Sequence, residues 1–235
     1  MKLSLFMNPI AQLRQWSGTE TPDPVTIAAA AEMAGIDGIV CAYTAETGEV
    51  TDRDLRILKT LPTVYLHILI PPSNEEIRRV MELKPDQVTF VPERGMGPDA
   101  ELRDDMDEED LLGTVENLHA AGINAGVIAG PEVAQIKAAR RLGVDFVVLN
   151  THGYARAGSP RQALHRLEEV EASMIAAGKL GMRVQVFGGL DHRNLNPVVE
   201  CDGAEEAILG HRFLGRSLLI GLERAVDEVK RALVQ

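Results

Sequence analysis

Four of the six histidines in the sequence lie within or directly after short apolar runs, where polar side chains are uncommon. They are His67, His152, His192 and His211. Because imidazole exchanges protons near neutral pH, a histidine at the end of such a run is a candidate general acid or base. Glu93 follows a further run and Asp191 is next to His192, and the carboxylate of either is a candidate partner. The sequence therefore predicts acid–base catalysis by His67, Glu93, Asp191 and His152, with His67 as the principal group.

Glycines follow the last two apolar runs and indicate an anion site. Gly189 comes after the seventh run, and Gly210 precedes His211 at the start of a predicted helix. Backbone N–H groups beside glycine and at a helix N-terminus attract phosphate or carboxylate groups. We add Asn8 and Arg193 to this predicted binding set for a small phosphorylated or anionic substrate. The alternative interpretation is that the glycines only form tight turns.

Two other kinds of chemistry have less support in the sequence. The four catalytic candidates are of the ligand types that Zn²⁺ or Fe²⁺ prefers, but no His-x-His or His-Glu-x-x-His spacing accompanies them. Cys41 and Cys201 have no adjacent base that would activate a thiolate. We therefore expect neither a metal site nor a thiolate nucleophile. His67 has a second interpretation, as a core histidine that bonds to a backbone carbonyl.

Eight short runs rich in apolar residues predict the strands of a parallel sheet that is covered on both faces. Between them, helical spacing with Pro near the start or Gly after the end predicts helices. The predicted strands are Leu3–Met7, Gly38–Tyr43, Thr63–Ile70, Gln87–Val91, Asn124–Ala129, Asp145–Asn150, Arg183–Phe187 and Glu206–Leu209. The clearest predicted helices are Pro24–Ala34, Asp107–Ala121, Pro131–Leu142 and Pro160–Leu180. Thr51 and Ser73 are predicted to cap two further helices.

Eight strands that alternate with helices in 235 residues give a repeat of about 29 residues, which is typical of a (β/α)8 TIM barrel. A doubly wound sheet is the alternative, but a glycine-rich loop normally follows its first strand, and here the residues are Met7-Asn8-Pro9-Ile10. No linker divides the chain, so we predict one barrel domain over residues 1–235. The active site of such a barrel lies at the carboxyl ends of its strands, where the candidate residues fall.

The charge balance and composition exclude several classes of protein. The 24 Lys and Arg residues against 35 Asp and Glu residues give a net charge of −11. No long basic stripe offsets it, so no nucleic-acid partner is expected. No run approaches the roughly 20 apolar residues that cross a bilayer, and no signal pattern opens the sequence. With only two cysteines, the chain suits a reducing compartment. We expect a cytoplasmic enzyme or small-ligand protein without membrane attachment.

Motifs spread over nearly the whole chain carry a family resemblance. They include Ala11-Gln12-Leu13-Arg14, Gly18 to Pro24, Thr51-Asp52-Arg53-Asp54, Val91-Pro92-Glu93-Arg94, Gln135-Ile136-Lys137-Ala138-Ala139, Leu209-Gly210-His211 and Gly215-Arg216. In this order they resemble the pyridoxine 5'-phosphate synthase family of vitamin B6 biosynthesis. The resemblance implies a (β/α)8 barrel with extra helices, assembled as dimers up to octamers. It also implies condensation of 1-deoxy-D-xylulose 5-phosphate with 3-amino-2-oxopropyl phosphate, without a metal or organic cofactor.

The resemblance also identifies positions at which this sequence departs from the family. Where the family ends its first strand with Asn-x-Asp-His, this chain has Phe6-Met7-Asn8-Pro9. The other substituted positions are Ser17 and Thr44 for arginines, Ala42 and Gly188 for histidines, His67 for a glutamate, and Val148 and Asn150 for a Glu-x-His pair. Glu93, Gly189 and Gly210-His211 match the family, in which these glycines and the histidine hold one substrate phosphate.

From these departures we predict a divergent family member that keeps the barrel and one anion site. It would run different chemistry on a small phosphorylated or anionic metabolite, since alanine and glycine exchange no protons. Two alternatives stay open. One is a genuine pyridoxine 5'-phosphate synthase that carries out the family reaction with rearranged groups, whereas in the divergent member the replacement groups are His67, His152, Asp191, His192 and Arg193. The other is a non-catalytic protein that binds a phosphometabolite. The resemblance implies a homo-oligomer.

Overall fold

A computed structural model of the chain describes residues 1–44, 48–92 and 108–233. Its eight strands are parallel and pair in sequence order, and the pairing of the last strand with the first closes a barrel. The strands are β1 (Lys2–Phe6), β2 (Gly38–Ala42), β3 (Tyr65–Ile70), β4 (Gln87–Phe90), β5 (Asn124–Ala129), β6 (Phe146–Asn150), β7 (Arg183–Phe187) and β8 (Glu206–Leu209). The predicted (β/α)8 TIM barrel is confirmed.

The strands form where the sequence is almost continuously apolar, because each strand has one face toward the barrel interior and one toward the helices. All five residues of β6 are buried, for example. The predicted strand ends lie within two residues of the observed ends. Strand β3 begins at Tyr65 rather than at Thr63, since the Thr63 N–H bonds to the Glu32 carboxylate instead of to a neighbouring strand.

Helices cover the outside of the barrel, and more than one follows β1, β6 and β8. They are α1 (Asn8–Ser17), α2 (Pro24–Met33), α3 (Asp52–Leu58), α4 (Asn74–Leu83), α5 (Glu108–Ala120), α6 (Val133–Arg141), α7 (His152–Ala155), α8 (Pro160–Lys179), α9 (Leu195–Glu200), α10 (His211–Ile220) and α11 (Leu222–Ala232). None of these described helices combines the length and the apolar character that crossing a membrane requires.

The two predicted helix caps behave differently. Thr51 forms a reciprocal capping box, in which its hydroxyl accepts the Asp54 N–H and the Asp54 carboxylate accepts the Thr51 N–H. Ser73 does precede α4, but its hydroxyl donates to the Glu76 carboxylate and makes no cap to the helix backbone. The prediction of a cap is therefore confirmed at Thr51, and at Ser73 only the position of the helix start is confirmed.

The barrel interior changes character along its axis. An apolar layer fills the middle and the carboxyl end, and consists of Phe6, Val40, Ala42, Leu69, Val91, Ile128, Phe146, Val148, Phe187 and Ile208. A polar cluster fills the amino end, and each member is among the first three residues of its strand. Its members are Ser4, Tyr65, His67, Gln87, Thr89, Gln185 and Glu206. The apolar layer therefore separates the polar cluster from the carboxyl ends of the strands.

Candidate functional site

A cavity opens at the carboxyl ends of the strands, on the outer side of the apolar layer. Its walls come from strand ends and loops that the closed barrel brings together. The lining residues are Phe6, Pro9, Ile128, Asn150, His152, Phe187, Gly188, Gly189, Gly210 and His211. Of the residues predicted from the sequence, His152, Gly189, Gly210 and His211 thus share one cavity. Its position agrees with the predicted place of the active site.

The floor of this cavity is apolar. Phe6 and Phe187 meet edge to face with their ring centroids 5.1 Å apart, and Ile128 contributes beside them. Edge-to-face pairs of this kind are stabilising and leave flat aromatic surface available to a ligand. The floor therefore offers contact to the carbon skeleton of a small molecule. It also shields the barrel interior from a charged ligand.

The turn after β7 requires glycine at two consecutive positions. The φ angles of Gly188 and Gly189 are 129° and 72°, a region that side chains rarely adopt. A Cβ atom on Gly188 would lie 2.8 Å from the Asn150 side-chain oxygen and 2.8 Å from the His152 backbone nitrogen. A Cβ atom on Gly189 would lie 2.9 Å from the Cβ of Ala155. This close approach puts the bare backbone of the turn in the cavity wall.

Helix α10 directs its N-terminus at the same cavity. Gly210 precedes the helix, and the first helical bond runs 3.1 Å from the Leu214 N–H to the Gly210 carbonyl. The N–H groups of the first three helical residues therefore have no acceptor within the helix. No residue of this first turn is acidic. The free N–H groups and the helix dipole together favour an anion at this end of α10.

His152 stands beside the glycine turn. The Asn150 side-chain oxygen accepts the His152 backbone N–H at 2.9 Å, and the buried Thr151 hydroxyl donates to the Gly188 carbonyl at 3.0 Å. The half-buried imidazole has its Nε2 atom 3.4 Å from an Arg156 nitrogen. These bonds fix the backbone of the loop, so that the His152 ring is held at the cavity wall.

Asp191 lies behind the cavity and not in its lining. Its carboxylate pairs with the Arg212 Nε atom at 2.9 Å and accepts the Arg193 backbone N–H at 2.8 Å. Arg212 in turn donates to the Gly189 carbonyl at 2.8 Å and to the Ala155 carbonyl at 3.2 Å. Both Asp191 oxygens are therefore engaged, Oδ2 with Arg212 of α10 and Oδ1 with the backbone of its own loop. This arrangement makes Asp191 a positioning residue of the site.

The two remaining predicted binding residues also stand apart from the cavity lining. The Asn8 side chain donates to the Ala42 carbonyl at 2.8 Å and accepts the Ala42 N–H at 2.7 Å, which joins the ends of β1 and β2. A further bond of 3.2 Å reaches the Glu49 carboxylate. The Arg193 side chain is exposed. Asn8 therefore acts in the structure as a clamp between two strands.

The prediction that His67 stands at the end of its strand is wrong. It is the third of the six residues of β3, and it is fully buried in the polar cluster. Its Nε2 atom lies 2.8 Å from the Thr89 hydroxyl oxygen, and its ring meets Phe146 edge to face. Burial lowers the pKa of His67 to about 3, so the imidazole is neutral at physiological pH. The apolar layer separates it from the cavity.

Glu93, the predicted partner of His67, lies outside the described residues, so their pairing stays a prediction. A metal site was the alternative use of these residues. Within the described ranges, no three His, Cys, Asp or Glu side chains gather in a group that could hold a metal ion.

Sequence reasoning missed the aromatic floor of the cavity. Phe6 and Phe187 were assigned only to apolar strands, without regard to which face they occupy. A signal was available in the period of two along a strand, since Ser4 and Phe6 share one face of β1, and Gln185 and Phe187 share one face of β7. The polar residues near the start of these strands therefore indicate which face points into the barrel, and the floor residues lie two positions later on the same face.

Comparison with known proteins gives consistent results at the level of sequence. The chain matches the family described as pyridoxal phosphate biosynthesis protein PdxJ over residues 3–235. It is 35% identical over 233 residues to the pyridoxine 5'-phosphate synthase of a Cyanothece species, covering 98% of this chain and 97% of that protein. It is 34% identical over 230 residues to the protein of the same name from Pelobacter propionicus, covering 97% and 96%.

Comparison with solved structures supports the fold alone, because the identities are low. Thiamine phosphate pyrophosphorylase from Pyrococcus furiosus superposes with a TM-score of 0.61 at 14% identity, covering 99% of this chain and 95% of that chain. A structure described as native KDPGal superposes with a TM-score of 0.63 at 13% identity, covering 100% and 97%. Chains with little sequence in common thus share this barrel architecture.

Proposed function

Because this chain belongs to the PdxJ family of pyridoxal phosphate biosynthesis proteins, we propose that it is an enzyme that binds a small phosphorylated metabolite at the carboxyl end of its barrel. One observation carries the proposal. The N-terminus of α10 opens into the cavity beside the turn formed by Gly188 and Gly189, so that backbone donors converge on one place. Such convergence is the usual means by which barrels of this type hold a phosphate group.

In this proposal the phosphate lies between the first turn of α10 and the glycine turn. The free N–H groups of α10 donate to its oxygens, and His211 on the rim adds a side-chain donor. Arg212 does not need to leave its own bonds, since Asp191 and the Gly189 carbonyl hold it behind the turn. The site thus recognises an anion mainly through backbone N–H groups, which carry no titratable charge.

The carbon skeleton of the metabolite lies over Phe6 and Phe187, and proton transfer falls to the two histidines of the cavity. His152 and His211 both belong to its lining. We assign them the acid and base roles in place of His67, which is buried below the apolar layer, and of Asp191, whose oxygens are engaged. Imidazole groups are suited to these roles because they gain and lose protons near neutral pH.

The first candidate reaction is the condensation implied by the family, of 1-deoxy-D-xylulose 5-phosphate with 3-amino-2-oxopropyl phosphate. It is supported by the 35% identity, over 98% of the chain, with a protein named pyridoxine 5'-phosphate synthase. The test is to mix both substrates with the purified protein and to follow pyridoxine 5'-phosphate by mass spectrometry. Formation of this product above a heat-denatured control supports the first candidate, and its absence over hours rules it out.

The second candidate is a different reaction on one phosphorylated substrate. It is supported by the lining itself, because Phe6, Pro9, Asn150 and Gly188 stand in the cavity at positions where the family resemblance predicts other residues. None of these four side chains transfers protons, so the proton donors available to the family reaction are reduced. A screen for depletion of individual phosphometabolites, each with its dephosphorylated form as a control, tests this candidate.

Thermal shift measurements with the same panel test binding separately from turnover. A phosphorylated metabolite at about a hundred times its Kd stabilises the folded protein by about 2.7 kcal/mol, while its dephosphorylated form has little effect. Stabilisation without depletion of any metabolite identifies a non-catalytic binding protein. Where turnover is found, His152→Ala should reduce it strongly, whereas His165→Ala, at an exposed position of α8, should not. Equal turnover by both variants removes His152 from the mechanism.

A further inference from the structure

A second cavity opens at the opposite, amino-terminal end of the barrel. Its lining comes mainly from the first residues of strands β1, β4, β7 and β8. The residues are Met1, Lys2, Gln87, Arg183, Gln185, Ala204, Glu205 and Glu206. This cavity adjoins the polar cluster, and the apolar layer stands between it and the cavity at the carboxyl end. A ligand at one end of the barrel therefore has no contact with the other.

Gln185 presents a side-chain oxygen that lacks a partner. The residue is 3% exposed, and its Nε2 atom donates to the Gln87 side-chain oxygen at 2.6 Å. That bond fixes the orientation of the amide. Its Oε1 atom is buried and has no hydrogen-bond partner among the residues that the structure describes. Because burying an unpaired carbonyl oxygen is costly, this atom is a candidate acceptor for a bound donor.

Glu206 presents a second such oxygen beside the first. Its backbone pairs in register with Gln185 on one side and with Lys2 on the other. The carboxyl group is 3% exposed, and its Oε1 atom has no partner within the described part of the chain. Burial raises the pKa of Glu206, although the hydroxyls of Ser4 and Tyr65 favour its charged form. A donor with positive charge would relieve this cost.

Two cations stand at the rim of the same cavity. The Lys2 ammonium lies 5.1 Å from the centre of the Tyr65 ring, and its side chain is exposed. The Arg183 guanidinium lies 5.5 Å from the centre of the Phe146 ring and donates to the Asn124 side chain at 3.2 Å. Both cations are thus held near the opening, outside the buried Glu206 and Gln185.

We propose that the amino-terminal cavity is a binding site for a small zwitterion of the α-amino acid type. Its ammonium group donates to the Glu206 and Gln185 oxygens, and its carboxylate meets Lys2 and Arg183. The arrangement of these groups supports this class of ligand, because the oxygen acceptors lie inside the cavity and the cations lie at its rim. A simple anion would be repelled by the carboxylates of Glu205 and Glu206, and a simple cation would have no group to pair with Lys2 and Arg183.

The test begins with ligand-observed NMR on the purified full chain, using a panel of free L-amino acids. The strongest binder is then measured by isothermal titration calorimetry. Its deaminated acid and its decarboxylated amine serve as matched controls, since each lacks one of the two charged groups. We expect the intact amino acid to bind at millimolar concentration or below, and each control to bind at least about tenfold more weakly. Failure of every amino acid to bind overturns the proposal.

Three variants locate the binding. Glu206→Gln keeps the shape of the side chain and removes its charge, and should weaken binding by about thirtyfold or more. Glu200→Gln makes the same change at an exposed residue of α9 that does not line the cavity, and should leave affinity within about threefold of the parent. Lys2→Met alters only the exposed rim and should weaken binding about three- to tenfold. If Glu206→Gln does not fold, this second variant still tests whether the amino acid binds in this cavity.

Competition with phosphate distinguishes this site from the one at the carboxyl end. Amino acid binding should persist in the presence of saturating inorganic phosphate, because the apolar layer divides the two cavities. Competition with phosphate, or unchanged affinity in both Glu206→Gln and Lys2→Met, overturns the assignment. The inference does not depend on the proposed enzymatic activity, so a protein without detectable turnover remains a suitable sample.

Discussion

The two ends of the barrel present hydrogen-bonding groups in different ways. At the carboxyl end, the donors are mainly backbone N–H groups of the glycine turn and of α10, above the rings of Phe6 and Phe187. At the amino end, the groups belong to side chains buried inside the barrel. Three buried side-chain atoms without a partner in the described structure belong to that cluster, on His67, Gln185 and Glu206.

If the carboxyl end binds an anion as proposed, this difference accounts for such binding by an acidic chain. The net charge of −11 acts over the whole surface, whereas the N–H groups at the start of α10 act over a few ångströms and carry no titratable charge. Asp191 is close to the site, but its charge is paired with Arg212 at 2.9 Å. In our proposals, backbone geometry therefore gives the carboxyl end its preference for an anion, and ionisable side chains give the amino end its preference for a zwitterion.

Phe146 belongs to the apolar layer and borders the polar cluster, and its loss is expected to have the largest effect. The fully buried ring meets the His67 ring at 5.6 Å between centroids and underlies Arg183 at 5.5 Å. Phe146→Ala should lower the free energy of unfolding by about 3–5 kcal/mol, because it leaves a cavity in the barrel. Chemical denaturation measures this loss. Phe146→Leu should cost clearly less, and equal losses in the two variants would mean that the filled volume does not matter.

Gly188 tests the carboxyl end alone. Gly188→Ala should destabilise the fold by about 1–3 kcal/mol, because φ is 129° and the new Cβ meets the Asn150 oxygen at 2.8 Å. It should also weaken phosphate binding, since the glycine turn must move. Gly178→Ala, in α8 with open space around it, is the matched control and should stabilise by up to about 1 kcal/mol. A Gly188→Ala protein with parental stability and phosphate affinity would contradict the proposed role of the turn.

The fold was predictable because its signals are local. Apolar runs interrupted by Pro and Gly gave strands β5, β7 and β8 with their observed bounds. The repeat length then selected a barrel, since few architectures have eight strand–helix units in a chain of this size. The largest error at a strand end, two residues at the start of β3, arose where the Glu32 carboxylate accepts the Thr63 backbone N–H.

The site was predictable only where backbone geometry makes it. Gly189, Gly210 and the start of α10 were predicted together because glycine and helix N-termini both favour an anion, and in the structure they share one cavity. Side chains were assigned less well, because an apolar run does not reveal how deep a polar residue lies in the barrel. His67 and Asp191 were both predicted as catalytic, yet one lies in the interior and the other is bound to Arg212. The depth of a side chain in the barrel and the group with which it pairs both depend on tertiary contacts.

His67 provides a test of the amino end through pH. Its pKa is lowered from 6.5 to about 3 by burial, so between these values the unfolded chain binds more protons than the folded chain. Stability should therefore fall as the pH is lowered through this window, by up to about 1.4 kcal/mol per pH unit from this group. His67→Gln, which retains a hydrogen-bonding group near Thr89, should show a shallower dependence in urea denaturation. Parallel curves for the two proteins would show that His67 is already protonated, or reached by water, in the folded state.

Among the changes that test ligand binding and stability, His211→Ala is expected to have the smallest effect, on phosphate affinity, because His211 adds one side-chain donor to a site built from backbone groups. It is exposed at the first position of α10, next to Gly210. His211→Ala should weaken inorganic phosphate binding by about two- to fivefold, or about 0.5–1 kcal/mol, as measured by calorimetry. His165→Ala removes an exposed histidine from α8 and should leave the affinity unchanged. A loss of a hundredfold or more on His211→Ala would mean that a side chain dominates anion binding at the carboxyl end, and the contrast between the two ends would then fail.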